Sequence, residues 1–302
     1  LISDRFDIPW ITTIPSPVAI ECRTTTPTYL GGWKPHEGAL YKFRDALGRL
    51  AIRCGKKMAF ALVRKSFGDY QDFKLYREDG TEAIYSPYSI LALGIKELEF
   101  RDDFPKDLRW VGYKCLSFDR LPTDHESYFE TDKKRVLVTC GTHLKWEKER
   151  MVERAKKLSQ LYPDYLFYVT LGEASGLGNA PKRLAENLLL FDYLPYTDIL
   201  DKIDFAIHHA GTGIMMACIE QEIPSLILPQ DYDQFDNAVR AELAQVGLVA
   251  RRKTDAEVLH LFKELTDHTD WSKLKTLAQK SKEYQPTEIL YQELGRLLKV
   301  DL

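Results

Sequence analysis

Two apolar runs in the second half of the chain end in polar residues that suit phosphate and sugar binding. The run 204–208 leads to His209, which is followed by Gly211, Thr212 and Gly213. Glycines let a backbone approach a phosphate closely, and the N–H groups at the start of a helix favour its negative charge. An imidazole beside them could donate a hydrogen bond to a diphosphate.

The next apolar run, 224–230, leads to Asp233 and Gln234. A carboxylate accepts hydrogen bonds and an amide both donates and accepts them, so the pair suits the vicinal hydroxyls of a sugar. In an open parallel sheet, ligands bind beyond the carboxyl ends of the strands. A phosphate at one strand end and hydroxyls at its neighbour predict a nucleotide-sugar pocket.

Short apolar runs alternate with helical patterns from about residue 132 onward. The apolar runs are 135–141, 165–172, 187–195, 204–211, 224–230 and 247–252, and the helical patterns are 146–161, 213–222 and 234–246. Continuous apolar strands separated by helices indicate a parallel sheet covered on both faces. We predict a Rossmann-like domain over residues 135–302.

The first part of the chain is less regular. The segment 9–15 is predicted to be a strand and 38–66 a long amphipathic helix, with further strand or loop pieces at 83–95 and 107–113. The polar stretch 119–134 has the composition of a linker. The predicted organisation is therefore a domain over 1–118, a linker over 119–134 and a second domain over 135–302.

Composition indicates a globular protein. Of the 302 residues, 44% are hydrophobic and 29% charged, and the formal net charge of −3 argues against a nucleic-acid partner. There is no run of about 18 apolar residues and no signal-peptide pattern at the start. The five cysteines form no CxxC pair, which favours a reducing cytoplasm, and the seven histidines show no metal-ligand spacing. We expect no bound metal.

The helix predicted over 38–66 is rich in Lys and Arg, with Asp45 as the lone acidic residue between 41 and 67. It places Phe43, Leu47 and neighbouring apolar residues on one face. A basic amphipathic helix can lie on an anionic membrane surface, or it can present a solvated outer face. Residues 41–66 are therefore a candidate peripheral membrane contact, and both interpretations stay open.

The segment 208–242 resembles the donor-binding signature of family 1 glycosyltransferases of the GT-B fold, which commonly runs HxGxGT, G-x-P and P-x-x-x-DQ-x-x-NA. The matching residues are His209, Gly211, Thr212 and Gly213, then Ile223 and Pro224, then Pro229, Asp233, Gln234, Asn237 and Ala238. The stretch 191–200 resembles the W-x-P-Q element of the family, and Gly141-Thr142 resembles the loop after its first strand. Departures are Glu222 for the usual Gly, Tyr196 for the frequent Gln, and Ala217 where plant members carry a donor-contacting Glu.

The resemblance implies an α/β chain of the GT-B fold with two Rossmann-like domains, the N-terminal one incomplete. It implies an inverting, metal-independent transfer from an NDP-sugar, of the UDP-glucose type, to a hydroxyl of a small-molecule or lipid acceptor. The NDP-sugar is a co-substrate, and no cofactor is implied. Tyr193 would stack on the base, Asp233 and Gln234 would orient the sugar, and the remaining residues would hold the diphosphate. The latter are Gly141, Thr142, His209, Gly211, Thr212 and Gly213.

Two other functions stay open at this stage: a nucleotide-sugar-binding subunit that needs a partner chain, and an epimerase or hydrolase of the same fold. The acidic pair in 231–233 could also hold a metal on the diphosphate, as in transferases of another fold. We interpret His208, His143 and Cys140 as structural or surface residues.

A hydroxyl that attacks a sugar needs a general base within hydrogen-bond reach. Family members usually carry this base as a histidine near their start, and the chain has no equivalent Gly-His turn. We therefore expect the base upstream of Leu1, in the same gene or on a partner chain, and expect residues 132–302 to bind donor with little transfer. The alternative base is His36.

Overall fold

The computed structural model describes residues 8–70, 73–115 and 119–299. The strands are β1 Thr12–Ile14, β2 Ile90–Leu93, β3 Leu108–Gly112, β4 Lys134–Thr139, β5 Tyr165–Thr170, β6 Lys182–Ala185, β7 Leu188–Phe191, β8 Phe205–His208, β9 Ser225–Ile227 and β10 Gly247–Val249. The α-helices are α1 Ala39–Val63, α2 Lys148–Leu161, α3 Tyr196–Ile199, α4 Thr212–Glu220, α5 Gln234–Leu243, α6 Asp255–Asp267, α7 Ser272–Glu283 and α8 Pro286–Leu298.

The chain divides into two compact units. The first comprises the described residues of Leu1–Tyr113 and Glu283–Leu302, and the second comprises those of Lys114–Lys282. This division differs from the predicted domains, because the last helix belongs to the first unit. The hydroxyl of Tyr284 accepts from Lys96 N at 3.1 Å, and Arg296 Nη2 donates to Tyr88 O at 2.8 Å. Such long-range contacts leave no mark in a sequence pattern.

The first unit contains a three-stranded parallel sheet in the order β1-β2-β3. Ile14, Ile90 and Leu108 of these strands form a small apolar cluster with Ile20 and Ala92. The strand predicted within 9–15 and the long helix are confirmed, and the strand or loop pieces at 83–95 and 107–113 contain β2 and β3.

The second unit contains a seven-stranded sheet in the order β10-β9-β8-β4-β5-β7-β6. All neighbouring strands are parallel except β6, which pairs antiparallel with β7 and was not predicted. Fully buried residues such as Val136, Phe167 and Leu226 fill the core beneath the helices. The predicted Rossmann-like parallel sheet is therefore confirmed.

The segment 119–134, which was predicted to be a linker, packs into the second unit. It contains a 3₁₀ helix over Thr123–Phe129. The ring of Phe129 stacks on Tyr168 with centroids 4.5 Å apart, and the Tyr168 hydroxyl donates to Tyr128 O at 2.9 Å. The polar residues dominate its composition, but its few aromatic residues determine where it lies.

Within the described part of the chain, no helix combines the length and apolarity that crossing a membrane requires.

A buried ion pair joins distant segments of the first unit. Arg101, whose side chain is fully buried, donates through Nε to Asp103 Oδ1 at 2.8 Å and through Nη1 to Ile20 O at 2.8 Å. Asp103 Oδ2 accepts from the backbone N–H groups of Thr24 at 2.8 Å and Thr25 at 3.1 Å. Burial alone would raise the pKa of Asp103, but the Arg101 guanidinium and these N–H groups hold it well below its usual range.

We expect Asp103→Asn to lower the free energy of unfolding by about 3 kcal/mol at pH 7, because Arg101 would keep a buried, uncompensated charge. A carboxyl with a lowered folded-state pKa stabilises the fold above its unfolded pKa and loses that contribution as the pH falls below it. The difference between the two proteins should therefore shrink between about pH 5 and pH 2. Urea titrations across this range measure it, and a pH-independent difference would contradict the assignment.

Candidate functional site

A cavity of about 670 Å³ lies in the second unit at the carboxyl edge of the sheet. It is formed by loops that follow β4, β5, β7, β8 and β9, because the carboxyl ends of parallel strands meet at one edge. Of the nine residues predicted as donor-binding, eight line it: Gly141, Thr142, Tyr193, His209, Gly211, Gly213, Asp233 and Gln234. Thr212 is not among the lining residues; it begins α4, and its Oγ1 accepts from Asn237 Nδ2 at 3.4 Å.

The imidazole of His209 lies between two glycines from different loops. A Cβ added to Gly141 would come within 2.7 Å of His209 Cε1, and one added to Gly211 within 2.4 Å of His209 Nε2. Gly141 also has φ +71°, a conformation that residues with a Cβ rarely adopt. In the structure Gly141 and Gly211 leave room for the imidazole, and their predicted role beside a phosphate stays a prediction.

His209 is neutral near pH 7. Burial lowers the pKa of His209 to about 4, although the nearby Asp233 carboxylate acts in the opposite direction. A neutral imidazole carries one N–H donor and one acceptor nitrogen. At neutral pH the ring can therefore offer a ligand a directed hydrogen bond, but not a formal positive charge.

The backbone between His209 and α4 is held on both sides. Ala210 has φ +67°, and its N–H donates to His208 Nδ1 at 3.1 Å, while its carbonyl accepts from Asn237 Nδ2 at 3.0 Å. Burial lowers the pKa of His208 to about 3, so the ring is neutral, and the bond from Ala210 N makes Nδ1 its acceptor nitrogen. His208 thus supports the turn from inside the protein, in agreement with its interpretation as structural.

Asp233 and Gln234 begin α5 at the cavity. Asp233 Oδ2 accepts from Asn237 Nδ2 at 3.3 Å. Gln234 is buried, and its Oε1 accepts from the backbone N–H groups of Gln230 at 2.9 Å and Asp231 at 3.1 Å. Since these bonds fix the oxygen of the amide, they also orient its NH₂ group.

Tyr193 lines another part of the cavity, in the loop after β7. Its hydroxyl donates to Asp119 Oδ2 at 3.0 Å, which restrains the ring. Asp119 had no role in the sequence analysis, where it fell in the predicted linker.

Several residues that line the cavity were not predicted from the sequence. Trp146 and Tyr232 are mostly exposed at the cavity, Thr170 ends β5, and Gly172 lies in the loop that follows. Gly172 has φ +69°, and a Cβ there would lie 2.9 Å from Gly141 O. A repeated V-T-x-G motif could have identified Gly172. The motif is Val138-Thr139-Cys140-Gly141 at the end of β4 and Val169-Thr170-Leu171-Gly172 at the end of β5.

Two of the residues interpreted as structural or surface residues, His143 and Cys140, also line the cavity. His143 is exposed and lines the cavity. Burial raises the pKa of the Cys140 thiol to about 11, which disfavours a thiolate nucleophile. His36, the alternative base, is exposed in the first unit, where its ring stacks on Tyr41 at 4.4 Å.

Within the described ranges, no group of three His, Cys, Asp or Glu side chains is arranged to hold a metal ion.

The chain is similar in sequence to known proteins mainly over its second half. Residues 168–293 match the family model of the erythromycin biosynthesis protein CIII-like C-terminal domain. UDP-glucuronosyltransferase 1A1 of Rattus norvegicus is 26% identical over 193 residues, which is 55% of this chain and 35% of the relative. The chain thus spans about a third of the length of this curated relative.

Two solved structures share the fold. The glycotransferase of kitacinnamycin superposes with a TM-score of 0.66 at 18% identity, covering 98% of this chain and 72% of the other. Spinosyn rhamnosyltransferase SpnG, complexed with thymidine diphosphate, gives a TM-score of 0.57 at 19% identity, covering 68% and 56%. The fold is therefore GT-B, and over part of its length the chain is similar in sequence to UDP-glucuronosyltransferase 1A1.

Proposed function

We propose that the cavity of the second unit holds the nucleotide-sugar donor of an inverting glycosyltransferase that needs no metal ion. The observation that carries the proposal is the convergence on one cavity of His209, the start of α4 and the Asp233-Gln234 pair. These groups match the diphosphate and the sugar of one ligand. An acceptor hydroxyl, on a small molecule or a lipid, would attack the anomeric carbon as the bond to the diphosphate breaks, and its proton would pass to a general base.

The diphosphate would lie at the start of α4. Gly211 precedes this nine-residue helix, so the first N–H groups of the helix and its dipole favour an anion here. His209 would add a hydrogen bond to the same anion. Because these donors are fixed before the reaction, they stabilise the negative charge that develops on the leaving diphosphate.

The sugar would contact Asp233 and Gln234. The Gln234 oxygen already accepts two backbone hydrogen bonds, so its NH₂ group is the part that would donate to a hydroxyl. The Asp233 carboxylate would accept from a neighbouring hydroxyl. A glucose-type sugar is part of the proposal and rests on the resemblance of this pair to the family signature.

The nucleobase of the donor would stack on the ring of Tyr193, which is restrained by its hydrogen bond to Asp119. A uridine base is supported by the name of the rat relative, whereas the SpnG structure holds thymidine diphosphate. We therefore propose a UDP-sugar, with TDP as the comparison ligand. A cytoplasmic location belongs to the same proposal, and the free state of all five cysteines supports it.

Calorimetry on the 302-residue chain tests the donor site. We expect UDP and UDP-glucose to bind with EDTA present, and UDP to bind more tightly than TDP. If neither nucleotide binds, the proposal is contradicted, and a strict need for Mg²⁺ or Mn²⁺ would contradict its metal-free form.

Product analysis with labelled UDP-glucose then separates the possible activities. Transfer to an acceptor indicates a transferase, release of free sugar a hydrolase, and binding without turnover a binding subunit.

Gln234→Glu tests the role of the amide without disturbing the loop. Glutamate keeps an oxygen for the N–H groups of Gln230 and Asp231 but loses the NH₂ donor. We expect affinity for UDP-glucose to fall about tenfold or more, because a hydrogen bond in the site is lost and a charge is added, while UDP affinity changes little. Equal losses for both ligands would show that Gln234 does not contact the sugar.

A double-mutant cycle tests the packing of the imidazole. Gly211 has ordinary backbone angles, φ −60° and ψ 139°, so Gly211→Ala acts through the contact of its Cβ with His209. We expect this change to weaken UDP binding about tenfold in the parent chain and to add little in a His209→Ala background. Gly55→Ala in α1, where the added Cβ meets open space, is the control. Additive losses would contradict coupling through the ring.

A further inference from the structure

Helix α1 lies in the first unit with its polar side inward. Arg49 Nη1 donates to Thr25 O at 2.6 Å, and Lys56 Nζ lies 2.5 Å from Glu82 Oε1. Asp45, the lone acidic residue of the helix, is buried and accepts from Thr26 Oγ1 at 2.7 Å. These contacts fix the helix about its own axis and leave the opposite side facing outward.

The helix is also held by a close approach at Gly48. A Cβ at this position would lie 2.8 Å from side-chain atoms of Leu30, Pro27 and Trp33. The inward side of α1 is therefore held by side-chain packing at Gly48 as well as by hydrogen bonds and ion pairs. Its orientation does not depend on flexible surface ion pairs alone.

The outward side of α1 is apolar over most of the helix. We call it the apolar stripe, defined as Leu40, Phe43, Leu47, Leu50, Met58 and Leu62. Each of these side chains is between 50% and 78% exposed. Their spacing of mostly three or four residues keeps them on one face, along about 33 Å of helix. Contiguous exposed apolar surface of this kind marks an interaction site.

The charge beside the apolar stripe is positive. Lys42, Lys57 and Lys65 are exposed, and α1 presents no acidic side chain outward, because Asp45 is buried. Two copies of the chain joined through this face would bring their lysines together without an acidic partner from either helix. An anionic surface would complement the same lysines.

We propose that α1 is a peripheral membrane contact that lies in the headgroup region of an anionic bilayer, with the apolar stripe toward the acyl chains. A helix with an apolar face and basic flanks binds lipid through buried apolar area together with attraction to anionic headgroups. The inward polar side stays attached to the first unit, so the protein can dock without unfolding the helix. This contact is independent of the donor site and of the reaction proposed above.

Vesicle co-sedimentation of the 302-residue chain tests the contact. We expect binding to vesicles of phosphatidylglycerol mixed with phosphatidylcholine, weaker binding to phosphatidylcholine alone, and a decrease with added salt. Leu47→Gln with Leu50→Gln should lower the partition coefficient about tenfold or more, because both side chains leave the apolar stripe. Leu161→Gln, at a leucine of the second unit that is 60% exposed, is the matched control and should change nothing.

A fluorophore on Cys54 gives an independent measurement on the same face. Cys54 is exposed on α1, whereas Cys22, Cys140 and Cys218 are buried, and Cys115→Ser removes the remaining partly buried thiol. The emission of an environment-sensitive label should shift to the blue when anionic vesicles are added.

Three results would overturn the proposal: no binding to anionic vesicles, binding that survives the double leucine substitution, or an unshifted label. A dimer that the leucine substitutions dissociate, without vesicle binding by the parent chain, would assign the apolar stripe to a second copy. Circular dichroism of each variant checks that the exposed substitutions leave the fold intact.

Discussion

The candidate site depends on the contact between the His209 imidazole and the backbone of Gly141 and Gly211. The ring fills the space that a side chain at either glycine would need, with prospective Cβ contacts of 2.7 and 2.4 Å. Gly141 follows β4 and His209 follows β8, and these strands pair in register, with Thr139 opposite His208. A shift of one residue would turn every side chain of a strand to the other face. The register of the sheet therefore sets the geometry of the site.

The turn at Ala210 is held by hydrogen bonds to two neutral side chains, those of His208 and Asn237. His208 can accept from Ala210 N only while Nδ1 is unprotonated, and burial keeps the ring neutral. Asn237 completes the support by donating to Ala210 O and Asp233 Oδ2. The left-handed turn at Ala210 costs conformational energy that these bonds offset. Asn237 thus connects the loop after β8 with the start of α5, which explains physically why the two parts of the motif occur together.

Most of the second unit could be predicted from the sequence, because continuous apolar runs and helical periods record burial directly. The same reasoning found His209 and Asp233, since polar residues at adjacent strand ends are brought together by a parallel sheet. It missed Trp146 and Tyr232, which line the cavity from irregular loops without a periodic signal. It also missed Gly172, although the repeated V-T-x-G motif was readable: Gly141 N donates to Thr139 Oγ1 at 3.1 Å and Gly172 N to Thr170 Oγ1 at 3.3 Å.

Helix α1 shows a different limit of sequence reasoning. Its period establishes an apolar and a polar side, but not which side packs inward. The answer comes from Glu21 and Glu82, remote in sequence, which lie within 4 Å of Arg53 and Lys56 respectively. With these partners the polar side is the better side to bury, and the apolar stripe is left exposed.

The cavity has no cationic side chain among its described lining residues. None of them is Lys or Arg, and His209 is neutral near pH 7. A diphosphate there would meet the N–H groups at the start of α4 and an imidazole that is neutral in the unliganded protein, rather than lysine or arginine side chains. N–H dipoles that the fold already holds in place need no reorganisation when negative charge develops on the leaving group. Burial of His209 thus favours a site that stabilises a leaving diphosphate over one that binds any polyanion through net positive charge.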